Sequence, residues 1–376
     1  MYLNVAEIES AITSLEGAYP GMAEIVVPPY PTHEGRTTSL LRVGAHAAEA
    51  VDGVLMLGGV HAREWVPPDA LVSLAADLLE ARANGTGLSY GGSSFTAGQI
   101  EGLLDTLNLF FFPCVNPDGR AHSQTTAGMW RKNRRPAPAG HTAPSCVGVD
   151  LNRNFDFLWD HVVKFAADSG VRTSADPCDP QVYRGPSAGS EPETQNVGWA
   201  LDAFPRVRWL IDVHSAVPVI LHIWGDDQNQ STTPGDNFTN PALDGVRGRP
   251  NDGIGEYLTT QNLDILGRLG KRINDAVFAV RSVDYGVEQA YGLYPTSGTS
   301  DDYAFSRHIA NPGATKVFGF TIECGSSFQP PYSEAEHVIR EVSAGLVAFG
   351  LGAQEITDGH ATRAAGLAGS GRSTAE

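Results

Sequence analysis

Predominantly apolar runs occupy positions 54–57, 107–112, 207–213 and 317–322, and each is bounded by polar residues, glycine or proline. Short runs that do not alternate cleanly with polar positions predict strands buried on both faces. Between the first two runs, Leu71, Leu74, Ala75, Leu78 and Leu79 recur at helical spacing over 68–81, with prolines where a helix start tolerates them. Ser190 with Glu193, and Ser333 with Glu336, have capping-box spacing and predict two more helix starts. Strands alternating with helices predict one α/β domain, with a mostly parallel or mixed sheet between helical layers.

Three stretches interrupt the alternation, at 84–98, 136–145 and 226–252. All are rich in Gly, Pro, Ser, Thr, Asn or Asp and predict surface loops. Toward the carboxyl end the chain becomes rich in Ala, Gly and Ser, which sets the expected domain at 1–355 and a flexible tail at 356–376. The amino terminus lacks a basic segment followed by an apolar one, and no apolar stretch approaches the length of a membrane span. As written, the chain carries no export signal; a cytoplasmic location is expected, or a secreted one if the chain is a trimmed mature form.

Composition narrows the partners. The net charge of −17 repels nucleic acid and anionic lipid and favours cationic ligands. No nucleic-acid or membrane partner is expected, and a monomer is. Cys114 and Cys324 lie in apolar sequence and read as small buried hydrophobes. Cys146 and Cys178 lie in polar, proline-flanked loops, where the residues alone leave a bridge open.

The chemistry begins just past the first apolar run, in GGVHAREWVPP. His61 and Glu64 offer an imidazole nitrogen and a carboxylate oxygen, donors that suit Zn²⁺; a catalytic zinc usually takes three protein ligands and a water. His214, directly after another run, supplies a third. Sites in α/β sheets form beyond the carboxyl ends of strands, which gives all three positions, and Glu323 after a further run, special standing. Glu323 is the candidate general base for a metal-activated water, since partial burial would raise its pKa toward the working range. The segment GMWRKNRRP, then VGVDLNRNFD, gathers Arg131, Arg134, Arg135, Asn152 and Arg153 in an acid-rich chain. An arginine fork there could hold a carboxylate, another arginine could stabilise an oxyanion, and Asp150 could orient a ligand histidine.

HAREW, MWRKNR, CVGVDLNRNFD, DVHSA, LYPTSGTSDDYA and FTIECG, in that order, resemble the zinc carboxypeptidases of the pancreatic type, peptidase family M14, over nearly the whole chain. The resemblance implies a twisted, mixed, mostly parallel eight-stranded sheet flanked by helices, and removal of the terminal residue from peptides and proteins. It implies one zinc ion held by His61, Glu64 and His214, with Glu323 activating the water and Arg131 polarising the scissile carbonyl. Asn152 and Arg153 match the pair that grips the terminal carboxylate, Tyr294 the mobile tyrosine that closes over substrate, and Arg63 a residue further out in the cleft. Asp150 matches the carboxylate bonded to the first zinc histidine. A Cys146–Cys178 disulfide is implied as well.

Asp301 falls where the basic-residue enzymes of the family carry an aspartate, so the resemblance implies preference for terminal Lys or Arg, with mixed specificity open. Thr296, Thr299 and Thr321 are expected in the same pocket. In the competing reading Asp301 faces solvent or caps a turn while the pocket accepts apolar residues, since neighbouring Asp302 could take the other role. Two departures stand out: Ala216 replaces a tyrosine of the outer subsite, and the 226–252 loop is long. Two other functions use the same residues. One is a zinc amidohydrolase acting on an unusual amide, against which Asn152, Arg153 and Tyr294 weigh. The other is an inactive peptide-binding relative, against which the complete set of ligands and base weighs.

Overall fold

Eight strands build the central sheet: β1 (Ala23–Val26), β2 (Leu40–Val43), β3 (Asp52–Gly58), β4 (Leu107–Phe112), β5 (Val207–His214), β6 (Val219–His222), β7 (Val287–Gln289) and β8 (Phe318–Glu323). The computed structural model describes residues 1–370. Across the sheet the order is β1-β2-β4-β3-β5-β8-β6-β7. The central neighbours β4–β3, β3–β5 and β5–β8 run parallel, as does the edge pair β6–β7. The pairs β1–β2, β2–β4 and β8–β6 are antiparallel.

The near-continuous apolar runs have a direct structural cause: β3 and β4 are buried at every position, and β5 and β8 at all but one each. Successive side chains leave opposite faces of a strand. Val54 and Met56 accordingly enter one core with Leu109, Phe111, Ile211 and Ile322, while Leu55 and Leu57 enter the other with Phe110, Phe112 and Leu210. Each buried phenylalanine contributes about 1.5–3 kcal/mol relative to exposure.

The helices are α1 (Val5–Ala18), α2 (Val66–Asn84), α3 (Ala97–Thr106), α4 (Pro117–Thr125), the single turn α5 (His161–Lys164), α6 (Pro192–Ala203), α7 (Thr260–Arg281), α8 (Ser300–Ala310) and α9 (Tyr332–Ser370). The first core is covered by α1, α2, α3, α7 and α9, and the second by α6 and α8. Among the described residues no helix is long and apolar enough to cross a membrane.

Both expected capping boxes are corrected. Pro192 opens α6 after Glu191, and Ser190 Oγ instead donates to Glu191 Oε1 at 2.5 Å and accepts from Asn154 Nδ2 at 3.0 Å. Helix α9 starts at Tyr332, after Pro330 and Pro331, so Ser333 already lies in its first turn. The stretch expected to be a tail from 356 is helical through Ser370, and 371–376 lie outside the described residues.

The loops are tied down. Residues 84–98 include a small hairpin, Leu88–Tyr90 with Ser93–Phe95. The 226–252 segment wraps a buried arginine: Arg247 donates to Asp244 Oδ1 at 2.8 Å and to the carbonyls of Asn237 and Asn240 at 3.2 and 3.1 Å. Cys146 and Cys178 form a disulfide, while Cys114 and Cys324 are free and buried. Beneath the disulfide, Lys132 Nζ donates to the carbonyls of Ser145 and Asp179, each at 2.8 Å.

Strand β8 and helix α8 meet without space for a methyl group. A Cβ at Gly319 would stand 2.2 Å from the Asp301 carbonyl oxygen. Gly319→Ala should therefore destabilise the fold by about 1–3 kcal/mol, seen as a lower urea midpoint at unchanged slope. A midpoint equal to that of the parent would contradict this contact.

Candidate active site

Strands β3, β5 and β8 end at one edge of the sheet, and the candidate residues sit there. His61 and Glu64 lie in the turn between β3 and α2, His214 is the last residue of β5, and Glu323 is the last of β8. Glu323 and His214 are register partners on adjacent parallel strands.

The three expected metal ligands converge. His61 Nδ1 lies 2.8 Å from Glu64 Oε1, His214 Nδ1 lies 3.0 Å from Glu64 Oε2, and the two Nδ1 atoms are 3.0 Å apart. Each imidazole turns its other nitrogen to a carboxylate. His61 Nε2 meets Asp150 Oδ1 at 3.1 Å, and His214 Nε2 lies 3.0 Å from Asp212 Oδ2, close but not aligned as a hydrogen bond. A carboxylate only accepts, so it favours the tautomer with the proton on Nε2 and the lone pair on Nδ1. Two such lone pairs and an ionised carboxylate then face one point, an arrangement that needs positive charge at its centre. The donor set of two nitrogens and one carboxylate fits Zn²⁺ with a position left open. Without metal, protons must supply that charge: burial opposes ionisation of His214, but Asp212 and Glu64 outweigh it and raise its pKa well above the ordinary value. Backbone N–H of Ser215 donates to Glu64 Oε2 at 3.0 Å and fixes the carboxylate.

Asp150 joins this cluster to an arginine. Its Oδ2 accepts from Arg131 Nε and Nη2 at 3.0 and 2.9 Å, while Oδ1 accepts from His61 and from the Asn152 N–H. Burial would raise Asp150, but Arg131 and His61 outweigh it and hold the carboxyl well below its usual range. Glu323 is partly open to the cleft, yet desolvation and then the Glu64 charge push its pKa up to about 7. An acceptor of that strength beside a fixed guanidinium can move a proton and stabilise an oxyanion.

A narrow cavity continues from Glu323. Asn152, Arg153, Tyr294, Thr296, Thr299, Asp301 and Thr321 line it, so the structure brings together every residue expected in the pocket. Arg153 Nε donates to the Arg172 carbonyl at 2.6 Å, and its guanidinium carbon stands 5.9 Å from the centre of the Tyr294 ring. Asn152 Oδ1 accepts from the Ser300 N–H at 2.9 Å. The adjacent aspartates have separate environments. Asp301 is 3% exposed and its Oδ2 accepts from Thr321 Oγ1 at 3.2 Å, whereas Asp302 accepts from the Gly225 N–H at 3.0 Å. Burial, then the Asp301 charge, pushes the Asp302 carboxyl well up. Two larger surface grooves lie elsewhere, and neither is lined by His61, Glu64 or His214.

Arg63 stands apart from this cavity, donating to Gln181 Oε1 at 2.9 Å with its guanidinium carbon 4.2 Å from the Phe328 ring centre. Arg134 and Arg135 are structural: they pair with Glu34 at 3.4 Å and Glu191 at 2.9 Å. Sequence reading missed Asp212 and Ser215. A signal for Asp212 exists, because a carboxylate two residues before His214 on a strand shares its face.

The zinc carboxypeptidase family model matches residues 8–345. Carboxypeptidase B of Astacus astacus is 28% identical over 324 residues, 86% of this chain and 86% of that protein. Carboxypeptidase B of Homo sapiens is 26% identical over 284 residues, 74% of this chain but 54% of that protein. Among solved structures, thrombin activatable fibrinolysis inhibitor superposes with a TM-score of 0.70 at 22% identity, covering 93% of this chain and 74% of that one. Carboxypeptidase A from Helicoverpa armigera gives 0.69 at 23% identity, covering 95% and 74%. These structural likenesses concern the fold, whereas the family model covers the sequence that holds the candidate ligands. By that match the chain belongs to the zinc carboxypeptidase family and is a hydrolase of peptide bonds that uses a single catalytic zinc ion.

Proposed function

We propose that the enzyme releases carboxyl-terminal lysine or arginine from peptides, with Asp301 as the selecting residue. The observation that carries this reading is the buried Asp301 carboxylate in a cavity that also holds Asn152, Arg153 and Tyr294. Asn152 and Arg153 bind the terminal carboxylate of the substrate, which aims the last side chain into that cavity. A cationic side chain there meets the Asp301 carboxylate between Thr296, Thr299 and Thr321, and Tyr294 closes over it. Arg63 contacts residues nearer the amino end of the peptide.

His61, Glu64 and His214 would hold the zinc ion, which would supply Lewis acidity for the carbonyl and lower the pKa of water. Glu323 takes a proton from the attacking water and delivers it to the departing amine. Arg131, kept in place by Asp150, stabilises negative charge that develops on the carbonyl oxygen.

The test compares kcat/KM on two peptides that differ only in a terminal Arg or Leu. Asp301→Asn keeps the size and removes the charge. It should lower kcat/KM for the Arg peptide about a hundredfold, the cost of leaving one buried charge unpaired, and leave the Leu peptide little changed. A parent enzyme that prefers Leu, or a variant that loses both activities together, would remove Asp301 as selector.

A further inference from the structure

The opposite edge of the sheet carries a second cavity, of about 580 Å³, a volume typical of small-molecule sites. It lies at the amino ends of the strands whose carboxyl ends bear the metal ligands: Asp52 opens β3, Trp209 lies near the start of β5, and Phe318 opens β8. From Trp209 to His214 the extended chain covers roughly 17 Å, so a molecule bound here does not touch the catalytic groups.

Its charged lining is unbalanced. Arg206, Arg208 and Lys316 face one carboxylate, Asp52, in a chain whose net charge is −17. Asp52 lies 2.7 Å from Arg206 Nη2 and 3.2 Å from Arg208 Nε, which sets the two guanidinium groups side by side. Half-buried Lys316 donates to Asn262 Oδ1 at 3.4 Å, and among the described residues no carboxylate pairs with it. Burial, then the Arg208 charge, lowers the Lys316 pKa, a cost that a bound anion would offset. The first turn of α7 adds the positive end of a helix through Gln261 and Asn262.

One further group lacks a partner. Trp209 is 2% exposed and stacks on Phe318 at 5.1 Å, and its indole Nε1 is buried without a hydrogen bond. A buried N–H left unpaired is costly, and Trp209 is one of the residues that line the cavity. With the two arginines, the lysine and the asparagine amide, the polar lining is dominated by donors, beside an apolar wall of Trp209, Phe318 and Ile265.

We infer that this cavity binds a small organic oxyanion with a planar ring, its phosphate or carboxylate group held by Arg206, Arg208 and Lys316. Occupancy is independent of the zinc centre and of the specificity pocket.

The test uses the zinc-loaded enzyme labelled with ¹⁵N at its six tryptophans, with the Trp209 indole signal assigned by its loss in Trp209→Phe. Phenyl phosphate, benzoate and inorganic phosphate are titrated separately. The Trp209 signal should shift saturably with phenyl phosphate or benzoate, whichever headgroup the site takes, and only weakly with inorganic phosphate. In Arg208→Ala/Lys316→Ala the half-saturating concentration should rise about tenfold or more, as expected for two lost charge-assisted contacts, with unchanged kcat/KM on peptide. Should that double variant fail to fold, Lys316→Ala alone is read in the same way. An indole signal that stays still with both ring compounds, one that responds equally in parent and variant, or equal affinity for inorganic phosphate would overturn the inference.

Discussion

Replacing Glu323 with glutamine should lower kcat for peptide cleavage about a thousandfold or more, within the range that general acid–base catalysis supplies, while the variant keeps one zinc ion per chain. Glutamine preserves the size of the side chain at the end of β8 and its access to the cleft, but it cannot accept a proton. The three converging donors are His61, Glu64 and His214, so metal content should not fall. KM should change little, because the terminal carboxylate and side chain of the substrate are bound by other residues. Metal stoichiometry measured beside kcat separates the two roles. Activity within tenfold of the parent would exclude Glu323 as the proton carrier, and loss of zinc would make it part of the metal site instead.

Removing zinc with a chelator should abolish cleavage, and stoichiometric zinc should restore it. A second readout is stability. In the metal-free protein the two imidazoles and Glu64 crowd together in a site where His61 is 3%, Glu64 2% and His214 1% exposed. Zinc binds the folded arrangement, so it should stabilise the enzyme by about 4 kcal/mol at a free concentration 1,000 times its Kd. Thermal unfolding with and without the ion measures that increment. Activity that survives complete metal removal, or a melting temperature indifferent to zinc, would contradict the assignment of the three ligands.

The parts of the site that were legible in the sequence share one property: they depend on where strands end. His61, Glu64, His214 and Glu323 follow or close apolar runs, and an α/β sheet brings the carboxyl ends of parallel strands together. Asp150 could be read as a partner for a ligand histidine on the same grounds. Asp212 escaped because it lies inside the run, where a carboxylate looks like an interruption and not a partner for the imidazole two residues on. The separate environments of Asp301 and Asp302 depend on an amide from a distant segment, Gly225, which no local pattern reveals. Helix starts were less legible than strands. At Ser190 the hydroxyl is engaged by Asn154, 36 residues away in sequence, and this long-range bond displaces the local cap.

The pairing of Glu323 with His214 has a consequence for how such an enzyme can change. Because Glu323 and His214 occupy matching rungs of neighbouring strands, their spacing is measured out by the backbone ladder. The 226–252 excursion has its own anchor in Arg247, and the 136–145 connection runs beside the disulfide and Lys132. The candidate site and these two excursions are thus held in place by separate contacts. Each excursion can change in length or sequence between its own anchors while the spacing of Glu323 and His214 stays set by the sheet.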